Sequence, residues 1–345
     1  MTDIPFSSAP PLPTPHRQRP QPRQVVTAIL REAGIGLALL VMIAFFAALA
    51  PDFLSSQNVS NILTQVTINL ILATGMTFAI LIGGIDLSVG AVMALCAVVA
   101  GTVITAASLS PGLAIVLAIF AALGTGVVCG ALNGFISAFW GVPSFIVTLG
   151  MLNIARGGAL EVTNARTIYD FPDSFNAFGT AEVAHIPLMF ILALCLLGIG
   201  WFVLTRTVFG RMIYAIGNNE EAVRLSGHRP FVIKVLAFTV TGLMVGIGAV
   251  VYMARLTIAN PILGNGFELN AIAAVIIGGT SLSGGRGSLV GTLLGAIVIG
   301  VLANGLILMG VTDFIRQIIT GIVIIAAVIL DAYRAKLALR PAKVV

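Results

Sequence analysis

The chain has 345 residues, of which 58% are hydrophobic and 9% charged, with a mean hydropathy of +1.08 and a formal net charge of +5. An ordinary soluble domain carries about 25% charged residues, so most of this chain must have lipid for a solvent. At about 20 residues per span the length holds roughly ten helices and short loops, which leaves no room for a separate aqueous domain.

Residues 1–24 hold many of the prolines with Arg17, Arg19 and Arg23 and show no apolar period. This reads as a disordered basic tail, taken as residues 1–33, and no small-residue cleavage site follows the first apolar run. The apolar runs predict spans at 34–50, 61–82, 87–107, 112–138, 143–160, 186–205, 234–254, 267–281, 287–309 and 313–331. Residues 34–332 thus form a transmembrane domain, and 333–345 a second basic tail. The fold class is all-α, a polytopic transmembrane helical bundle of about ten spans.

With the N-terminus inside, 14 of the 18 Lys and Arg fall on the cytoplasmic side, and the long outer loop 161–185 is acidic. That asymmetry predicts both termini in the cytoplasm. The basic residues sit at the chain ends and in one loop, as orientation signals do, so no nucleic-acid partner is expected. Cys96, Cys129 and Cys195 lie far apart in apolar runs and read as small buried hydrophobes. His16, His185 and His228 are scattered over tail and loops, so no metal or cofactor is expected. The three lysines, Lys234, Lys336 and Lys343, are followed by Val, Leu and Val, which excludes a P-loop. No catalytic residue is expected, and the chain reads as a non-enzyme.

Small residues recur at helix-packing spacing in Gly126, Gly130 and Gly134, in Gly287, Gly291 and Gly295, and in Gly242 and Gly246. Close backbone approach within the chain is their expected use, with a dimer seam as the alternative. The run Gly83-Gly84-Ile85-Asp86-Leu87-Ser88-Val89-Gly90 interrupts a long apolar stretch, and Gly278-Gly279-Thr280-Ser281-Leu282-Ser283-Gly284-Gly285 matches its pattern. Both should lie at one membrane face. Asn133-Gly134 pairs similarly with Asn304-Gly305, and together these matches point to an internal repeat. Their offsets, 195 and 171 residues, disagree by about one helix, so either one match is chance or a run in the first half is re-entrant.

An acid at membrane depth is costly, which makes Asp86 a functional candidate and also a candidate N-cap for a helix starting at Leu87. Broken helices expose polar backbone only where it is buried in protein or lines a cavity. The translocation path is therefore expected near Gly83, Gly84, Asp86, Ser88 and Asn133. In the inside loop 206–233, Asn218 or Asn219 should cap a short helix with Glu220 and Glu221 in its first turn and Gly227 past its end.

At the 83–90 run, at Ala271 through Gly291, and at Glu221-Ala222 with Leu225-Ser226-Gly227, the chain resembles the permease subunits of bacterial ABC importers for simple sugars, the ribose/xylose/arabinose/galactose type. The resemblance covers about residues 35–332. It implies an inner-membrane pathway for a monosaccharide or polyol, formed by two permease subunits, most simply a homodimer, within the lipid bilayer. It also implies an ATPase subunit inside and a periplasmic substrate-binding protein outside. Glu220, Glu221, Ala222, Leu225, Ser226 and Gly227 then become the ATPase-coupling loop. Asn218-Asn219 stands where a glycine pair or Gly-Asn is usual. The alternatives are a branched-chain amino acid permease of the same superfamily and a stand-alone secondary transporter.

Overall fold

The computed structural model describes residues 22–338 apart from 107 and 109. Of the expected tails, 1–21 and 339–345 lie outside the described residues. The helices are α1 (Pro22–Leu49), α2 (Ser56–Leu81), α3 (Val89–Ile104), α4 (Pro111–Trp140), α5 (Ser144–Thr163), α6 (Asp173–Thr180), α7 (Leu188–Arg206), α8 (Val208–Leu225), α9 (Pro230–Leu256), α10 (Phe267–Ile277), α11 (Leu289–Leu308) and α12 (Asp313–Ala338). Among the described residues the only sheet is a hairpin of β1 (Glu182–Val183) and β2 (Ile186–Pro187).

Local chemistry sets the helix ends. The Ser55, Thr207 and Ser288 hydroxyls accept the free N–H groups of Asn58, Gly210 and Gly291 at the starts of α2, α8 and α11. Pro111 and Pro230 open α4 and α9, where a missing N–H costs nothing. Gly141, in the left-handed region at φ 65°, closes α4.

The glycine series pack within the chain. A side chain on Gly126 would meet the Gly242 carbonyl, one on Gly130 the Phe238 carbonyl, and one on Gly134 the Val235 backbone. Rising numbers on α4 face falling numbers on α9, so the two helices run antiparallel with backbones in contact. Gly291 and Gly295 seat α11 on Gly278 and Ala274 of α10 in the same way. Gly287 precedes α11 and rests on Thr280 instead.

The core centres on α2, whose most apolar stretch is 89% buried. Its polar groups are satisfied at close quarters. Thr77 and Thr292 hydroxyls bond at 2.8 Å, the Thr241 hydroxyl donates to the Gly75 carbonyl at 2.9 Å, and Asn58 and Asn304 exchange two amide bonds of 3.0 Å. Only Asn69, midway along α2, has both amide atoms buried with no partner among the described residues.

Seven helices are long and apolar enough to cross a membrane: α2, α4, α5, α7, α9, α11 and α12. The apolar part of α1 is shorter (Gly34–Leu49), as are α3 and α10. At 1.5 Å per residue the 11 residues of α10 reach about 16 Å, half of an apolar layer of about 30 Å. The expected span 267–281 is therefore a half-length helix that stops at Gly278.

Among the described residues, two non-helical breaks each separate a long helix from the short one that follows it. Residues 82–88 lead from the end of α2 into the interior, where α3 starts. Residues 257–266 fold back from the end of α9 along α3. Gly101 of α3 sits against Ala259, and Gly90 sits against the Gly264 carbonyl and the Glu268 carboxylate. The N-termini of α3 and α10 thus converge inside the bundle, and the two helices leave it in opposite directions. Long helix, break, short helix and two long helices follow one another twice, as α2–α5 and as α9–α12. The offset of 171 residues respects this order, since Asn133 lies in α4 and Asn304 in α11. The offset of 195 does not: the first Gly-Gly run precedes a short helix and the second follows one.

Two expectations fail on particular residues. Cys195 is exposed on α7, unlike Cys96 and Cys129, because its helix packs by another face. Asp86 is not the N-cap of the next helix; Ser88 holds that position and α3 begins at Val89.

Candidate functional site

Both Gly-Gly runs reach the same end of the bundle and touch. The Gly285 N–H donates to the Leu81 carbonyl at 2.8 Å, and a side chain on Gly284 would strike the Gly83 nitrogen. The α8 helix stands on this contact: Gly217 abuts both the Leu81 carbonyl and the Gly285 nitrogen. Asn218 donates to the Tyr214 and Gly285 carbonyls, at 2.8 Å and 3.2 Å, and the Tyr214 hydroxyl donates to the Gly287 carbonyl at 3.0 Å. Burial pushes the Tyr214 phenol up from its usual range, so it stays a donor.

Beyond Asn218, α8 is a separate turn. Asn219 is non-helical, with φ −161° and ψ 97°, and its side chain accepts the Ala222 N–H at 3.0 Å. Asn219 is thus the cap, Glu220 and Glu221 fill the first turn, and Gly227 turns the chain at φ 81°. Glu220 pairs with Lys234 of α9, and Glu221 with Arg224. Val223 is buried and anchors the turn, whereas Leu225 is 80% exposed. Ala222, Ser226 and Gly227 are also exposed.

A polar cleft of about 230 Å³ opens beside this turn, lined by Gly83, Gly84, Ser137, Ser144, Glu220 and Lys234 among others. The first break runs inward from it. The Ser144 hydroxyl accepts the Ile85 N–H and the Thr148 hydroxyl accepts the Leu87 N–H, at 2.9 Å and 3.1 Å. Residues four apart on α5 thus serve residues two apart on an extended strand.

Asp86, Ser88 and Asn133 are shut into the core at 1–2% exposure. One Asp86 carboxylate oxygen accepts both the Ser88 N–H (2.9 Å) and the Ser88 hydroxyl (2.6 Å), while Asn133 donates to the Ser88 oxygen at 3.0 Å. The carboxylate thereby holds the residue that starts α3. The five expected path residues therefore divide, with Gly83 and Gly84 on the cleft and Asp86, Ser88 and Asn133 in a closed network behind it.

A second polar set was missed as a site in the sequence. Arg156 on α5 donates to the Pro261 and Leu263 carbonyls, at 2.9 Å and 2.8 Å, and pins the second break. Glu268, in the first turn of α10, accepts the Gly266 N–H at 3.1 Å and lies within electrostatic reach of Arg156. Asn153 and Asn265 are exposed. Glu268 opens an apolar run and was counted as part of a span; an acid in the first turn of a helix was the available signal.

The matching family model is described as branched-chain amino acid transport system / permease component and covers residues 58–328. The ribose import permease of Escherichia coli K12 is 40% identical over 316 residues, 90% of this chain and 96% of that one. The D-allose transport system permease of the same organism is 38% identical over 304 residues, 88% and 92% of the two chains. The L-arabinose ABC transporter permease of Azospirillum brasilense is 32% identical over 329 residues, 93% and 96%. No solved structure matches the chain.

Proposed function

The chain belongs to this permease family, and on that premise we propose that it is the gate of a bacterial ABC importer that carries a monosaccharide across the inner membrane. It is a multi-pass helical membrane protein and a sugar-importer permease. The sugars of its relatives, ribose, allose and arabinose, give the substrate class: a small polyhydroxylated ring or polyol.

One observation carries the coupling assignment. The turn 220–225 is exposed at its tip and continuous, through Gly217 and Asn218, with the contact between the two Gly-Gly runs. A partner gripping Glu221, Leu225 and Gly227 would therefore push on the ends of α2 and of the link between α10 and α11 together. The chain has no P-loop, so the partner we assign to this surface is a separate ATPase. From the basic distribution we assign this end to the cytoplasm, and with it the start of α1 and the end of α12. We read α1–α5, α7 and α9–α12 as ten passes, with α3 and α10 as half-helices of an inverted repeat meeting at mid-depth. The domain runs over about 34–332. A soluble binding protein delivers sugar at the opposite end, where α6, the hairpin and the 257–266 segment lie. A second copy completes the path, and rocking of the two copies opens it to either side. Gly83, Gly84, Asp86, Ser88 and Asn133 govern the inner half of that path.

Co-purification with the cognate ATPase and ATP-driven sugar uptake in proteoliposomes test this reading. Glu221→Lys and Leu225→Asp, both on the exposed side of the turn, should abolish ATPase recruitment while leaving insertion and thermal stability unchanged. Uptake that persists without the ATPase would overturn it.

A further inference from the structure

A groove of about 190 Å³ lies between α1 and α12. Gly34 and Ala38 stand on one wall, Ala327 and Leu330 on the other, and Ile276 and Ile277 of α10 lie between them. The α1 helix packs on α11, and α12 mainly on α10, so the two outer helices stand apart with the end of α10 beneath. That helix stops at Gly278, which makes Ile276 and Ile277 its last two residues. A side chain on Gly34 would meet nothing in this chain, so the space is open. No polar side chain lines it, and an apolar space of this kind takes hydrocarbon rather than water.

The walls of the groove lead to cations. At about 100° per residue, Arg31 falls one turn before Gly34 on the same face of α1, and Arg334 one turn after Leu330 on the same face of α12. The neighbouring acids are turned aside: Glu32 lies about 100° round its helix from Arg31, and Asp331 about 60° from Arg334. Exposed Tyr333 marks this level as headgroup depth. The outward face of α4 ends instead in Phe139 and Trp140. Two cationic positions beyond an apolar slot suit a lipid with an anionic headgroup.

We propose that this groove binds an anionic phospholipid at the end of the bundle assigned to the cytoplasm. One acyl chain lies between α1 and α12, and the phosphate sits at the Arg31 and Arg334 positions. The acyl chain then rests on the last turn of α10, just before the run from Gly278 to Gly285. Gly285 bonds Leu81 and abuts Gly217 of α8. A seated lipid therefore bears on the same α10–α11 link as the coupling helix.

The test uses full-length permease in liposomes. Its two tryptophans are removed by Trp140→Phe and Trp201→Phe, and one is reintroduced by Leu330→Trp. Dibrominated phosphatidylglycerol and dibrominated phosphatidylcholine, each titrated into plain phosphatidylcholine, quench that fluorescence according to their affinity for the groove. Phosphatidylglycerol should be favoured at least threefold with Leu330→Trp, and not at all with Phe120→Trp on α4. Arg31→Gln combined with Arg334→Gln should bring the preference at position 330 down to the α4 value, with expression and quenching by phosphatidylcholine unchanged. Gly34→Phe, which fills the groove, should remove the preference with both arginines in place. Equal quenching by the two lipids with Leu330→Trp would overturn the proposal. So would a preference that survives the loss of both arginines, or a tryptophan shielded from both lipids by a second copy of the chain. These readouts involve neither ATPase nor sugar, so such a failure leaves the importer reading intact.

Discussion

The breaks at 82–88 and 257–266 face the same demand, which is to carry non-helical backbone through a space where water cannot satisfy it. The first is held by neutral groups, the Ser144 and Thr148 hydroxyls, with Asp86 folded back on its own Ser88. Each bond there is local and modest. The second adds a cation to its neutral bonds: one guanidinium nitrogen of Arg156 donates to the Pro261 and Leu263 carbonyls with Glu268 nearby, while Ala259 pairs with Ile168 and Asn260 donates to Thr167. Neutral bonds can be released singly, whereas the Pro261 and Leu263 carbonyls share one charged nitrogen and are released together. The first break borders the cleft beside the 220–225 turn, and the second lies towards the opposite end of the bundle.

Four substitutions probe that contrast. Gly90→Val should have the largest effect, since a side chain there would overlap the Gly264 carbonyl where the two breaks meet. A loss of about 3 kcal/mol, enough to prevent recovery of monodisperse protein in detergent, is expected. Arg156→Leu leaves two carbonyls without this donor and should cost about 2–3 kcal/mol, read as a lowered Tm, with Arg156→Lys recovering much of it because one nitrogen makes both bonds. Thr148→Val removes two neutral bonds from the first break, to the Leu87 N–H and the Ile85 carbonyl, and should cost about 1 kcal/mol. If it matched Arg156→Leu, the contrast between the breaks would be wrong. Tyr214→Phe should be smallest, about 0.5–1 kcal/mol in stability, but should weaken ATPase stimulation because the Gly287 carbonyl loses its tie to α8.

The helices were largely legible from the run of apolar residues. Each of the ten expected spans corresponds to a helix, and the Glu220-Glu221 first turn, the Gly227 stop and a cap at Asn218 or Asn219 were readable from residue type, though not which of the two asparagines caps. Depth was not. Residues 82–88 are mostly apolar or small, so composition cannot separate a segment that turns inward from one that crosses. The α10 helix looked like a short span because apolarity continues past Gly278 while the helix does not. The first part of α8 and all of α6 mix polar and apolar residues and carry no lipid-like signal. The two Gly-Gly runs were found as a pattern and placed at one face, but nothing in a sequence says that Gly285 bonds Leu81 or that Gly217 wedges between them.

That wedge has a mechanical meaning. Where side chains mediate a contact, rotamer changes absorb part of any displacement before the next element feels it. At Gly217, Leu81 and Gly285 main chain bears on main chain, and there is nothing to rotate. The joint behaves like a rigid pivot with no backlash: a small tilt of α8 must reappear as a tilt of α2 and of the α10–α11 link, at once and in fixed proportion.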